Sequence, residues 1–120
     1  MDNALSYAET LVPPQKISAG IPFYGYNWLG KTTTDVSWQD AQTLIATYAP
    51  VVTRDPSGEA SFTYTDPKGA AHTVFYQDRT ALAAKLTMLR AKHAKLHGIG
   101  IWVMGNEDPA FWDEIRQQLH

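Results

Sequence analysis

Two different periods of hydrophobic and polar positions run along the outer parts of the chain, and they predict helices and strands in turn. Apolar side chains recur with the spacing of an amphipathic helix over 2–11, 79–96 and 108–119. Residues 17–24 alternate instead, as a strand does, and 99–104 is nearly continuously apolar, as in a strand covered on both faces. The outer elements therefore follow one another as helix, strand, helix, strand, helix.

The middle of the chain carries a different pattern. Residues 29–36 have no clear period and are predicted to be a loop. Ser37 and Asp40 have the spacing of a capping box, and the apolar stripe after them predicts a helix that ends near Ala49. Two turns that contain Pro and Gly then separate three short strands, predicted at about 51–54, 60–65 and 71–76. Such strands would form an antiparallel meander.

This order of elements predicts the α/β class. The outer units would form parallel strands with crossover helices, and the middle would form an inserted α+β module with antiparallel strands. Two parallel strands cannot close a sheet, and their apolar side chains, each worth roughly 1.5 to 3 kcal/mol when buried, would lack cover on one face. We therefore expect the chain either to be part of a larger unit or to form a homo-oligomer through its exposed strand edges.

Composition and charge narrow the possible functions. The 120 residues are 44% hydrophobic and 18% charged, which is enough for one modest globular core. A net charge of −2, without any cluster of Lys or Arg, argues against nucleic acid as a partner. The apolar stretches are too short for a membrane span, and the opening Met-Asp-Asn does not begin a signal peptide.

Metal and thiol chemistry find little support in the sequence. Cysteine is absent, which excludes disulfides, thiolate nucleophiles and thiolate metal sites. His93 and His97 lie four residues apart on a predicted helix, but no third ligand accompanies them, and we expect both at the solvent-exposed surface. The sequence therefore predicts neither a metal site nor a cofactor.

Aromatic residues cluster where the first predicted strand ends. In the stretch KISAGIPFYGYNW, residues 16–28, the strand is followed by Phe23, Tyr24, Tyr26 and Trp28 around one glycine. Rings grouped in this way suit a flat ligand, although packing at the rim of a fold is the alternative. For Trp28 neither interpretation is favoured.

That stretch, together with VFYQDRTALAAKLTMLRAKHAKLHGIGIWVMGNEDPAFW, resembles the C-terminal third of glycoside hydrolase family 18, the chitinase-like (β/α)8 barrels. The similarity is greatest to the bacterial branch of spore-cortex lytic enzymes and of barrels fused to polysaccharide deacetylases. The resemblance implies the C-terminal part of a (β/α)8 TIM barrel, formed by residues 1–29 and 78–120. Residues 30–77 would be an inserted α+β antiparallel module, and the two parallel strands would be barrel strands seven and eight.

The resemblance also implies which residues bind substrate. In such barrels the ligand lies across the carboxyl ends of the strands. Trp102 matches the tryptophan that floors the sugar site, and Tyr24 matches an aromatic near the N-acetyl and hydroxyl groups. Tyr26 stands where many chitinases have arginine and the spore-cortex branch has tyrosine. Gln77 takes the place of the branch's usual Glu, so a role that depends on that acid is not expected here.

The family's catalytic group has no counterpart in the chain. Family 18 hydrolysis is retaining and substrate-assisted, and its acid is a Glu within the motif Asp-x-x-Asp-x-Asp-x-Glu, which does not occur here. We therefore predict no catalytic residue in this chain and no activity for the chain alone. The resemblance implies that it is part of a parent hydrolase that acts on N-acetylglucosamine glycans, such as chitin or peptidoglycan-related chains. That parent would act outside the cell or in the cell envelope. The alternative is a non-catalytic carbohydrate-binding or interaction module.

Overall fold

The computed structural model describes residues 1–119 and contains four α-helices and seven strands in that range. The helices are α1 Asp2–Glu9, α2 Trp38–Tyr48, α3 Arg79–Lys92 and α4 Phe111–Gln118. The strands are β1 Ser18–Pro22, β2 Gly25–Leu29, β3 Thr32–Val36, β4 Thr53–Arg54, β5 Ala60–Thr65, β6 Ala71–Tyr76 and β7 Gly98–Trp102. Within residues 1–119, no helix has the length and apolar character needed to cross a membrane.

The strands form two separate sheets. Strands β1 and β7 make a parallel pair, with Ile21 opposite Ile101 and Pro22 opposite Trp102. The remaining strands form an antiparallel sheet in the order β3-β2-β6-β5-β4. The predicted parallel pair and the predicted antiparallel pairing of 60–65 with 71–76 are both confirmed.

The first hydrophobic core lies between the parallel pair and helices α1, α3 and α4. Leu82 and Leu86 of α3 are fully buried beside Ile21 of β1, as the helical stripe predicts. Phe23, which follows β1, meets Phe111 of α4 edge to face, with ring centroids 4.5 Å apart. This core fixes the direction in which the chain leaves strand β1.

The second core lies between helix α2 and one face of the antiparallel sheet. Its fully buried members include Ala41 of α2, Phe62 of β5 and Val74 of β6. The predicted capping box is present, because the Ser37 hydroxyl accepts the Asp40 amide while the Asp40 carboxylate accepts the Ser37 amide. The helix ends at Tyr48, near Ala49 as predicted, and Ala49 follows it in a left-handed conformation.

The predicted loop over 29–36 is wrong. Strands β2 and β3 pair there as a hairpin whose two-residue turn begins with Gly30 at φ +58°. A glycine with positive φ at this position is what a tight hairpin turn requires. Strand β3 escapes the pattern because it is a polar edge strand rich in threonine, whose stability comes from β propensity and not from apolar alternation. The antiparallel sheet thus begins at Gly25. The division of the chain into barrel segments, 1–29 and 78–120, and a module, 30–77, stays a prediction.

The prediction that His93 lies at the solvent-exposed surface is also wrong. Helix α3 ends at Lys92, and the His93 residue is only 4% exposed. Its ring nitrogens lie 3.1 Å from a carboxylate oxygen of Glu9 and 3.0 Å from one of Asp2. Helix α1 therefore covers the end of α3, whereas His97 is exposed as predicted.

Strand β7 is less covered than its apolar sequence predicts. Ile99 and Ile101 are partly buried, and the side of the strand that continues into Trp102 faces solvent. The reason is geometric, since β1 is the only strand among residues 1–119 that pairs with it.

Two contacts hold the antiparallel module against the rest of the chain. The backbone amide of Trp38 donates to the carbonyl oxygen of Asn106, after β7, at 2.8 Å. Arg54 of β4 pairs with Asp78, which directly precedes α3, at 2.5 Å. Asp108 joins α3 to the residues after β7, because its carboxylate accepts the Arg79 amide at the start of α3 at 2.9 Å. Helix α4 is preceded by Ala110 and has no side-chain cap.

Candidate functional site

The carboxyl ends of the two parallel strands lie side by side. Pro22 ends β1 opposite Trp102, which ends β7, and the Phe23 amide donates to the Trp102 carbonyl oxygen at 2.6 Å. The residues that follow β1 therefore leave the parallel pair beside Trp102. This edge is the place where open and closed α/β sheets carry their ligands.

Gly25 brings the antiparallel sheet directly against this edge. A Cβ at this residue would lie 2.1 Å from the Phe75 carbonyl oxygen and 2.7 Å from the Tyr76 Cα, so no other residue fits without displacing the backbone. Strand β2 can consequently pair with β6 from Tyr26 onward, only two residues after Tyr24. The close approach places the rings of Tyr24 and Tyr26 at the junction of the two sheets.

Three aromatic rings follow one another from this junction along β2. Tyr24 and Tyr26 meet edge to face with centroids 5.5 Å apart, and Tyr26 and Trp28 are 6.3 Å apart. The side-chain hydrogen bond with Tyr24 raises the pKa of Tyr26 above its usual value. The Tyr26 hydroxyl is therefore neutral at physiological pH and can both donate and accept hydrogen bonds.

A shallow cavity of 120 Å³ lies beside the rings. It combines aromatic walls with a carboxylate and an amide, which would contact a polar, partly flat ligand. The residues that line it are Pro22, Tyr24, Gly25, Tyr26, Glu59, Phe75 and Gln77.

Gln77 holds the polar side of this cavity in place. It is 6% exposed, and its amide nitrogen donates to a Glu59 carboxylate oxygen at 2.7 Å. Its carbonyl oxygen accepts from the Lys85 ammonium, also at 2.7 Å. Burial lowers the pKa of Lys85 below its usual value, against the opposing effect of Glu59. Sequence reasoning missed Glu59, because this residue reaches the cavity only through the pairing of β5 with β6.

Trp102 stands apart from the tyrosines. The residue is 71% exposed, the Trp102–Val103 peptide bond is cis, and its ring makes no stacked or edge contact with another aromatic ring of residues 1–119. The structure thus brings Tyr24 and Tyr26 into contact with each other and leaves Trp102 on the neighbouring strand end. Its ring is open to a ligand or to further protein.

The carboxylates near this edge are engaged in structural contacts. Glu107 accepts the indole N–H of Trp112 at 3.0 Å, and Asp78 pairs with Arg54 at 2.5 Å. Among residues 1–119, no group of three or more His, Asp or Glu side chains is placed to hold a metal ion. The edge presents aromatic rings and hydrogen-bonding side chains beside the Glu59 carboxylate.

The arrangement defines a class of protein. Parallel strands joined by a crossover helix, with an antiparallel module inserted after one strand end, make up part of a (β/α)8 barrel. Residues 1–107 match the sequence profile of glycosyl hydrolases family 18. The chain belongs to this family.

Its relatives come from the chitinases and the spore-cortex branch. YvbX, an uncharacterized glycosylase of Bacillus subtilis (strain 168), is 31% identical over 119 residues, which cover 96% of this chain and 34% of that protein. The chitinase of Chromobacterium violaceum ATCC 12472 has a TM-score of 0.89 and 35% identity, with 99% of this chain and 38% of that chain covered. The spore cortex-lytic enzyme SleL of Bacillus megaterium QM B1551 has a TM-score of 0.87 and 28% identity, with 98% and 28% covered.

These matches identify the fold as part of a family 18 barrel that carries an inserted module and is related to the spore-cortex-lytic branch. The chain spans no more than 38% of the length of any of these three proteins.

Proposed function

We propose that the chain supplies sugar-binding aromatics for glycans that contain N-acetylglucosamine, at the edge where β1 and β7 end. The observation that carries this proposal is that Tyr24 and Tyr26 contact each other just after β1, whose last residue, Pro22, lies opposite the exposed Trp102 at the end of β7. Aromatic faces stack on the C–H surfaces of pyranose rings, and the tyrosine hydroxyls add hydrogen bonds to sugar hydroxyls.

Chitin or a peptidoglycan-related chain is the glycan that family membership favours. Two of the three relatives named above are called a chitinase and a spore cortex-lytic enzyme, and these names point to chitin and to the spore cortex. The uncharged cavity wall of Tyr24, Tyr26 and Phe75 suits an N-acetyl group better than it suits an anionic sugar.

We further propose that the chain binds such glycans without cleaving them. The 120 residues lack the Asp-x-x-Asp-x-Asp-x-Glu motif that carries the family's acid. In a complete family 18 barrel the same aromatics would hold the sugar whose acetamido carbonyl attacks its own anomeric carbon. Such an enzyme would work outside the cell or in the cell envelope, where these polymers are found.

The outer edges of β1 and β7 are the proposed protein contacts. Each of the two strands pairs only with the other among residues 1–119, so each presents one unpaired edge beside partly exposed Ile99 and Ile101. We propose that further barrel strands or a second copy of the chain covers these edges. Sedimentation at micromolar concentration tests this proposal. A stable monomer in which the backbone amides at both strand edges exchange freely with solvent would overturn the second-copy alternative.

Calorimetric titration of the purified chain tests the binding proposal. A hexamer of β-1,4-linked N-acetylglucosamine should bind, and a hexamer of β-1,4-linked glucose, which has the same backbone without the acetamido groups, should bind more weakly. Equal binding of both hexamers would contradict the proposed glycan class, and binding of neither would contradict the sugar site.

A further inference from the structure

Two segments meet at the amino ends of the parallel strands, on the side of the fold opposite to the proposed sugar site. Residues 13–17 lead into β1, and residues 90–97 run from the last turn of α3 to β7. The His97 amide donates to the carbonyl oxygens of Pro14 and Ile17, at 3.2 and 2.9 Å, so the two segments lie against each other. We refer to them together as the basic pole.

The basic pole has an excess of positive charge. It contains Lys16, Arg90, Lys92 and Lys95, and no Asp or Glu. Four of the ten Lys and Arg residues of the chain lie there, which leaves six to balance all twelve Asp and Glu residues. The net charge of −2 is therefore the sum of a positive end and a negative remainder.

Three of these cations are exposed and unpaired. Lys16, Arg90 and Lys95 lie at the surface, and none of them forms an ion pair with another of residues 1–119. Arg90 belongs to the last turn of α3, where a cation also favours the helix dipole. Lys16 and Lys95 lie outside the helix, so the dipole does not account for them.

Helix α1 brings two acids towards the pole, but both already have partners. Asp2 pairs with Lys92, and Asp2 and Glu9 both contact the buried ring of His93. These carboxylates are therefore engaged, and they leave the exposed cations to solvent or to a ligand. The pole keeps its positive charge in the folded chain.

The composition of the basic pole selects the kind of partner. Lys and Arg are the side chains that bind phosphate groups, and several separate cations suit a flexible polymer with repeated phosphates. The pole has no Phe, Tyr or Trp on which the bases of a nucleic acid could stack. Its largest aliphatic side chains, Ile17 and Leu96, pack on the first hydrophobic core and are not free to enter a membrane.

We propose that the basic pole binds a flexible polyanion that carries repeated phosphate groups. Strands β1 and β7 are each five residues long, which separates their amino ends from Pro22 and Trp102 by about 13 Å. The chain therefore holds the polyanion at one end while the sugar site at the other end stays open. This inference does not depend on the proposed function.

Fluorescence anisotropy with labelled polyphosphate, at a series of salt concentrations, tests the inference in the full chain. Polyphosphate should bind, and the logarithm of the association constant should fall linearly with the logarithm of the salt concentration as counterions are released. A variant with both Lys16→Gln and Lys95→Gln should bind on the order of tenfold more weakly at low salt. Its salt slope should be shallower by about 1.4, because each lost contact removes about 0.7.

A variant with Lys31→Gln and Lys68→Gln is the matched control. It changes the net charge by the same amount, and both lysines are exposed in turns of the antiparallel sheet. It should bind polyphosphate within about twofold of the original chain, with an unchanged salt slope. Thermal unfolding should show that both variants are folded, and both should bind the N-acetylglucosamine hexamer as the original chain does.

Three results would overturn the inference. The first is that polyphosphate does not bind the original chain, and the second is that both double variants weaken binding equally, since binding would then follow net charge and not the pole. The third is tighter binding of another anion, either a single-stranded oligonucleotide of equal charge or vesicles of phosphatidylglycerol. Vesicles are included because Leu11 and Val12, just before the pole, are exposed.

Discussion

The side-chain amide of Gln77 bridges Glu59 and Lys85, at 2.7 Å from each. Its nitrogen donates to the carboxylate and its oxygen accepts from the ammonium, so both ends of one buried amide are satisfied. The family branch that this chain resembles has an acid at the position of Gln77. Here Glu59 places a carboxylate at the cavity instead, and a neutral amide beside it avoids two adjacent negative charges.

Gln77→Glu should therefore destabilise the protein. The substitution removes the N–H donor to Glu59 and places a like charge next to it, with only Lys85 to compensate. We expect a loss of about 1 to 3 kcal/mol in the free energy of unfolding at pH 7, measured by urea denaturation. The loss should shrink as the pH is lowered and one carboxylate of the pair takes up a proton.

Gln15→Glu provides the control, because Gln15 is exposed and has no side-chain hydrogen bond among the described residues. It should change stability by less than about 0.5 kcal/mol. If the Gln77→Glu variant is as stable as the original chain at pH 7, the hydrogen bonds of Gln77 to Glu59 and Lys85 do not contribute to the free energy of unfolding.

His93 should be a second determinant of stability. Its buried ring lies between Asp2 and Glu9 of helix α1, so its loss removes a partner from both carboxylates, although Asp2 keeps its pair with Lys92. His93→Ala should lower the free energy of unfolding by about 2 to 3 kcal/mol, again measured in urea. His97→Ala, at an exposed position four residues on, should have an effect of less than about 0.5 kcal/mol. Equal effects of the two substitutions would contradict the structural role of His93.

The pair of Asp78 and Arg54 makes stability depend on acid pH. Burial alone would raise the pKa of Asp78, but hydrogen bonds from Arg54 and from the Ala81 amide outweigh it and hold the pKa below its usual value. Ionised Asp78 therefore contributes stability at any pH above the unfolded-state pKa of about 3.9. The contribution is lost as the pH falls through the lower pKa of the folded state.

Asp78→Asn tests this dependence, because asparagine keeps the helix cap and removes only the charge. The variant should be less stable than the original chain by about 1 to 3 kcal/mol at pH 7, and the difference should close below about pH 4. Asp113→Asn is the matched control at an exposed ion pair with Arg116, where the difference should stay below about 0.5 kcal/mol. A difference at Asp78 that does not vary with pH would rule out the charge as its cause.

Local signals predicted the elements whose partners are close in sequence. The capping box at Ser37 and the turn between β5 and β6 contain their own chemistry within a few residues, and both formed as expected. The burial of His93 could not be predicted in this way, because Glu9 is 84 positions away and meets it only after α1 packs on α3.

Only the part of the candidate site that depends on neighbouring residues was predictable from the sequence. Tyr24 and Tyr26 follow a recognisable strand end, whereas Phe75 looks like an ordinary residue of an alternating strand. Its exposure follows from the position of β6 between β2 and β5, with α2 on the opposite face. The face that a strand residue occupies depends on register across the whole sheet, and the sequence of one strand does not contain that information.

Truncation of Trp102 and truncation of Trp112 should affect different properties, glycan binding in the first case and the free energy of unfolding in the second. Trp102 is exposed on the end of β7, whereas Trp112 packs edge to face against Phe23 at 6.0 Å and donates its indole N–H to Glu107. Trp102→Ala should weaken hexamer binding by about tenfold or more and leave the unfolding free energy nearly unchanged, because it removes a stacking surface and no core contact. Trp112→Ala should lower that free energy by about 3 kcal/mol, because it opens a cavity beside Phe23 and removes the indole donor from the Glu107 carboxylate, which keeps the Gly105 amide. Titration calorimetry and urea denaturation of the two variants measure glycan binding and the free energy of unfolding. A Trp102→Ala variant that loses stability but not binding would mean that the Trp102 ring packs against protein and not against sugar.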